Sequence, residues 1–321
     1  MLEVKIFAEG VTQKIKDYLP KELQDVQCEV MEQQKNNGLN LVGICFQQPG
    51  QKIAPIVYME SFYDKVRQGR DLDVVMKEIV TICSQALCAK DLPEQLDFED
   101  YNSVKDYLKV QVINTKANQK MLSHMPRKKL EDLSVICRIE FPSPDGQGVG
   151  SAKVTNEILK KWEVSPEIVY QQALDNAEKV SPPVLMSMEG IMKEILDDEK
   201  TGENLLEPNS TGDIPKDMMY VLSNPERING ASVLAYPHLM EKVDALFPKG
   251  FYILPSSLHE VLVVPKEAGR SPKELGQMVR EVNEQEVIQE EILSDRVYEY
   301  DKEKGKICQV VESIKEKEME R

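Results

Sequence analysis

The chain has 321 residues, with 40 Lys+Arg against 55 Asp+Glu and a formal net charge of −15. At about 150 residues per domain this length suggests two domains or one large one, and 41% hydrophobic with 30% charged residues is an ordinary globular composition. These figures exclude a wholly disordered chain, a collagen-like fibre and a membrane-embedded protein. They also disfavour sequence-independent nucleic-acid binding, which needs surplus Lys and Arg to neutralise phosphates.

Residues 4–19 have helical spacing, and Pro20 stops them. Three strands are expected at 26–33, 39–47 and 53–59. The turn signals Asn36-Asn37-Gly38 and Gln48-Pro49-Gly50 separate them and imply an antiparallel meander. Helices follow at 61–68 and 72–87, the second with Asp71 as N-cap and Leu72, Val75, Ile79, Ile82 and Cys83 in helical register. After the acidic stretch 92–101 come a strand at 108–113 and a short helix at 118–122. Residues 133–141 and 148–154 read as a hairpin turning at Asp145-Gly146. Helices are expected at 156–162, at 166–179 with Ser165 as cap and Pro166 first, and at 183–196.

Residues 201–217 contain Gly202, Pro208, Gly212 and Pro215 among acids and read as a linker. Beyond it, strands are expected at 219–223, 231–234, 251–254, 259–264, 296–300 and 307–311. Helices are expected at 237–247 and after the capping box Ser271-Pro272-Lys273-Glu274. The C-terminal order is then ββαββαββ. Its links are too short for parallel crossovers, so the pairing is antiparallel. The expected class is α+β, with antiparallel sheets and meanders, packed helices and two mixed parts: 1–200, the linker 201–217, and 218–321.

Glu3, Lys5 and Glu9 interrupt any N-terminal apolar run, so no signal-peptide core is present. No stretch approaches the roughly 18 apolar residues of a membrane span. A cytoplasmic protein is expected. Its six cysteines, Cys28, Cys45, Cys83, Cys88, Cys137 and Cys308, form no C-x-x-C pair, and only three histidines accompany them. They read as free thiols in a reducing compartment, with no metal site.

Segments along the whole chain resemble a known family. They include Asn36-Asn37-Gly38, residues 54–60, Asn114 with Asn118, Asp132-Leu133, Val154-Thr155-Asn156 with Trp162, and Ser187-Met188. The C-terminal half adds residues 219–224, Gly230-Ala231-Ser232, the run Phe251-Tyr252-Ile253-Leu254-Pro255-Ser256-Ser257-Leu258-His259-Glu260-Val261, residues 279–283 and residues 293–298. Together these are similar to an uncharacterised bacterial family, domain of unknown function 5688. The resemblance implies an intracellular bacterial protein. It carries no activity, substrate or catalytic residue that could be transferred.

The Pro-Ser-Ser-Leu-His-Glu segment is the sharpest chemical candidate. Ser257 or Ser256 could serve as nucleophile with His259 as base, and Asp295 as a third member. Were His259 and Glu260 both on the strand, they would face opposite sides, so Glu260 could not orient the imidazole while Ser257 and His259 would share a face. The alternative is that the serines satisfy turn backbone groups, leaving a structural segment or a binding surface of Ser256, Ser257, His259 and Glu260. Asn283, beside the apolar stripe of its helix, is the preferred polar partner.

Other patterns are weaker. Gly146, Gly148 and Gly150 sit in a hairpin, not between a strand and a helix N-terminus, so they do not make a dinucleotide loop. The acidic clusters 97–100 and 197–199 lack EF-hand spacing. Arg127-Lys128-Lys129 reads as a solvated loop and Trp162 as a core anchor. No cofactor or metal is implied. The functional expectation is a non-enzymatic binding or accessory protein with an unidentified protein or small-molecule partner, no nucleic acid and no membrane. The alternative is a hydrolase-like enzyme using the Ser-His pair.

Overall fold

The computed structural model describes residues 1–50, 54–88, 96–142, 149–197, 202–207 and 214–310. Two compact units emerge: Met1–Leu96 with Glu140–Ser151, and Asp97–Ile139 with Ala152–Arg321. Among the described residues no helix is long and apolar enough to cross a membrane.

The first unit opens with helix α1 (Leu2–Lys14), which buries Val4, Ala8 and Val11 on one face. The meander is β1 (Gln27–Gln34), β2 (Asn40–Gln47) and β3 (Ile56–Tyr58), ordered β1-β2-β3 and antiparallel throughout. Its first turn needs the left-handed region, supplied by Asn37 at φ 54° and Gly38 at φ 72°. Alternate β2 residues Val42, Ile44 and Phe46 point into one core. That core is shared with α1, α2 (Glu60–Arg67) and α3 (Leu72–Cys88) through Val11, Phe62, Val75 and Ile79. Each such side chain, once fully buried, contributes roughly 1.5–3 kcal/mol.

Two further sheets follow, the larger one wholly in the second unit and the smaller one mostly so, its residues 140–142 and 149–151 being counted with the first unit. The smaller one contains β4 (Leu108–Asn114), β5 (Lys128–Leu130), β6 (Leu133–Pro142) and β7 (Val149–Lys153), with β6 central and antiparallel to β4 and β5. Short helices α4 (Tyr101–Val104) and α5 (Gln119–Leu122) flank β4 in sequence. The hairpin expected at 133–154 forms as β6 and β7, while its Asp145-Gly146 turn and the Gly146/Gly148 pair lie outside the described residues. Lys128 sits in β5 rather than in a loop, its ammonium 4.7 Å from the Tyr170 ring centre. Trp162 ends α6 (Asn156–Trp162) as an anchor, donating its indole N–H to the Phe98 carbonyl at 2.9 Å. Helix α7 (Pro166–Val180) is tied to the smaller sheet by Asn176, which donates to the carbonyls of Lys105 and Leu108, and by Tyr170, which donates to that of Val135.

The larger sheet has six strands in the order β13-β12-β10-β11-β9-β8. They are β8 (Val184–Ser187), β9 (Tyr220–Ser223), β10 (Phe251–Leu254), β11 (Val261–Pro265), β12 (Tyr298–Asp301) and β13 (Lys306–Gln309), every neighbouring pair antiparallel. The helices α8 (Met188–Asp197), α9 (Leu239–Leu246) and α10 (Pro272–Gln285) connect them. The expected capping box opens α10: Ser271 Oγ accepts from Glu274 N, and Glu274 accepts from Ser271 N. The α+β class with antiparallel sheets therefore stands.

Two details of the expected layout are corrected. Residues 184–187 are a strand rather than the start of a helix, because they pair with Tyr220–Ser223. Residues 231–234 form part of a 3₁₀ turn, Gly230–Ala235, whose Ala231 N–H bonds Leu258 O instead of a strand neighbour. The ββαββαββ order thus changes: β8 enters the sheet and 231–234 leaves it. The two compact units divide at 96/97, 139/140 and 151/152, and residues 201–217 lie in sequence between β8 and β9.

Candidate functional site

Residues 255–260 link β10 to β11. The strand begins only at Val261, so His259 and Glu260 lie in the loop ahead of it and the opposite-face rule does not govern them. The loop is stitched on both sides by its backbone. Leu258 N donates to Glu291 O at 2.9 Å, while Ser256 O and Pro255 O accept from Leu293 N and Ser294 N at 2.8 and 2.9 Å. On the other side Leu258 O accepts from Ala231 N at 3.0 Å, and Ser223 Oγ donates to His259 O at 2.7 Å. Gly230 permits this second contact. A β-carbon there would lie 2.0 Å from Ser223 Oγ and 2.3 Å from His259 O.

The side chains follow the same logic. Ser257 Oγ accepts from the backbone N–H of His259 at 3.1 Å, an ST-turn that spends the hydroxyl lone pair locally. The imidazole takes two other partners. Its Nδ1 accepts from Asn229 N at 3.3 Å, and its Nε2 lies 3.1 Å from Glu291 Oε1. A ring nitrogen that accepts from a backbone N–H carries no proton, so the neutral tautomer has its hydrogen on Nε2 and donates it to Glu291.

Asn229 is itself held: its Oδ1 accepts from Gln111 Nε2 at 2.8 Å, and Gln111 Oε1 accepts from Arg138 Nη1 at 2.9 Å. A polar chain thus runs from β6 through β4 to His259. Among the described residues no hydrogen bond joins either serine hydroxyl to the imidazole.

Two other expected members stand elsewhere. Asn283, buried on α10, donates through Nδ2 to Ser294 O at 3.1 Å and to Asp295 Oδ1 at 2.7 Å. Asp295 is exposed and paired with Asn283 rather than with His259. Next to them is a buried hydroxyl pair that sequence reasoning missed. Ser294 Oγ lies 2.9 Å from Tyr298 Oη, and both hydroxyls bond the carboxylate of Asp132. Burial, then the Asp132 hydrogen bond, hold the Tyr298 phenol well above its ordinary range.

A shallow cavity of about 210 Å³ lies in the same unit, lined by Leu234, Tyr236, Met240, Tyr300 and Ile307 with His238, Glu241 and Lys306 among its polar groups. It is smaller than the roughly 300–1,000 Å³ typical of small-molecule sites. Among the described residues no group of three or more His, Cys, Asp or Glu could hold a metal.

The sequence signal for His259's partners was slight. Asn229-Gly230 marks a turn, and Glu291 sits in an unpatterned stretch. Neither predicts that they converge on one imidazole. The arrangement can hold a loop in place and present His259, Glu260 and Glu291 at partial exposure. Among the described residues neither serine hydroxyl is hydrogen-bonded to the His259 ring.

No curated protein and no solved structure matches the chain. Residues 4–302 match the model of a family of unknown function, DUF5688, and the chain belongs to that family.

Proposed function

We propose that the protein is a cytoplasmic, non-enzymatic binding or accessory protein. The observation that carries this reading is the commitment of the Ser-x-His pair. Ser257 Oγ serves a backbone N–H, and both imidazole nitrogens serve Asn229 and Glu291. A general base needs a free lone pair within reach of the hydroxyl it deprotonates, and here that lone pair is occupied. The net charge of −15 favours basic or polycationic partners and disfavours nucleic acid.

The test is labelling with a serine-reactive fluorophosphonate, compared with a Ser256→Ala/Ser257→Ala variant. Equal background labelling of both is the expected result. Saturable labelling lost in the variant would establish the hydrolase reading instead.

A further inference from the structure

We infer that α8 docks into a protein partner that offers an apolar groove flanked by Lys and Arg side chains. The inference rests on the binding reading above and names its surface. Met188, Ile191, Met192, Ile195 and Leu196 recur at i, i+3, i+4, i+7 and i+8, the spacing of a single helical stripe. A surface helix ordinarily turns such a stripe to the core. Here Met188 and Ile191 are only half-buried, while Met192 and Leu196 are 56% and 78% exposed.

The helix is fastened from its polar side instead. Gly190 N donates to Ser187 Oγ at 3.0 Å, and Glu194 Oε1 accepts from Gly202 N at 3.2 Å. Glu194 also pairs with Arg227 and is only 14% exposed. Glu194 is thus turned inward, while Met192 and Leu196 face outward beside the exposed Glu189 and Lys193, so the apolar stripe is only half covered and its outer half is free to be buried in another molecule.

The charges around the stripe state what that molecule carries. Glu189, Glu203 and Glu207 are exposed on α8 and on the segment fastened to it, and the lone cation of α8, Lys193, is paired with Glu189 at 2.8 Å. The last turn of α8 itself has no basic residue to complement its negative dipole end. Cations from a partner would complement both. A second copy fits poorly: a ten-residue helix is about 15 Å long, and two laid side by side would bury far less than the roughly 800 Å² per partner of a stable interface. An anionic lipid surface would be repelled by the same acids.

The test places a benzophenone-bearing phenylalanine at Met192 of the full chain in the native host, with Ile168, 54% exposed on α7, as control position. The expected result is one adduct to another protein whose cross-linked peptides are apolar with flanking Lys or Arg. The adduct should fall about tenfold or more with Leu196→Glu, while the thermal midpoint of that variant is unchanged. Several results would overturn the inference: an adduct to a second copy, a yield no higher than at Ile168, binding of the purified protein to phosphatidylglycerol vesicles, or a large thermal loss in Leu196→Glu. The same probe at His238, beside the cavity, separates the two levels. An adduct there but not at Met192 removes α8 and leaves the binding reading, whereas no adduct at either position removes both.

Discussion

Replacing Gly230 by Ala should damage the second unit more than any single change in the Ser-Ser-x-His-Glu loop itself. The added β-carbon would sit 2.0 Å from Ser223 Oγ, 2.3 Å from His259 O and 3.0 Å from Asn224 N, where ordinary contact is 3.4–4 Å. Two of these atoms form the 2.7 Å hydrogen bond that closes the loop onto β9. Overpacking of this kind costs roughly 1–3 kcal/mol, and losing the bond adds about 1 kcal/mol. The sum is about 3 kcal/mol, which in a unit of roughly 200 residues lowers the unfolding midpoint by about 6–12 °C.

Scanning calorimetry, with urea unfolding as a second measure, reads this directly. Ser223→Ala alone should cost about 1 kcal/mol. The double variant should cost less than the two singles together, because the Oγ that clashes is then absent. Gly10→Ala, where a β-carbon on α1 meets nothing within 4 Å, is the control and should be neutral or stabilising. A Gly230→Ala protein within about 0.5 kcal/mol of the parent would refute the close approach of residues 223, 230 and 259.

Other consequences follow from the buried titratable groups. Burial pushes the Cys137 thiol up to about 12 and the Cys83 thiol up to about 11, and both are buried in the core. Alkylation at neutral pH, mapped by mass spectrometry, should modify Cys28, Cys45 and Cys308 before these two, and rapid labelling of Cys137 in the native protein would contradict its burial. Burial likewise raises the phenols of Tyr298, Tyr170 and Tyr220, the last to about 12. Folding then favours their neutral forms. The stability they contribute is complete below the ordinary value near 10 and is lost as pH rises above it, by about 1.4 kcal/mol per unit for each phenol. Tyr298→Phe should reduce this alkaline loss yet cost about 1–2 kcal/mol at neutral pH, since Ser294 and Asp132 lose a partner. An unfolding midpoint that stays flat from pH 9 to 11 would show these phenols to be solvated.

Local patterns were legible wherever a residue acts on its immediate neighbours. The Ser271–Glu274 box, the Asn36–Gly38 turn and the helical spacing of α3 and α10 need no knowledge of the rest of the chain. Failures occurred where a distant partner decides the outcome. Val184-Leu185-Met186-Ser187 runs into a helical pattern and becomes a strand only because Tyr220–Ser223 lies beside it. Ala231–Leu234 has the apolar run of a strand, yet its first N–H is claimed by Leu258. At the candidate site, spacing placed Ser257 and His259 close together but could not assign their hydrogen bonds. Asn229, 30 residues away, turns Nδ1 into an acceptor. Asn283 borders the apolar stripe as expected, but its partners are Ser294 and Asp295, not the loop.

The state of one imidazole separates a structural loop from a catalytic one. Long-range proton–nitrogen NMR of the protein, with His259 assigned by its His259→Gln variant, reports which ring nitrogen carries the proton. The structure predicts a neutral ring protonated at Nε2, with Nδ1 accepting from Asn229, unchanged in Ser257→Ala. A proton on Nδ1, or an Nε2 resonance that shifts when Ser257 is removed, would place the imidazole against the hydroxyl and contradict a structural loop.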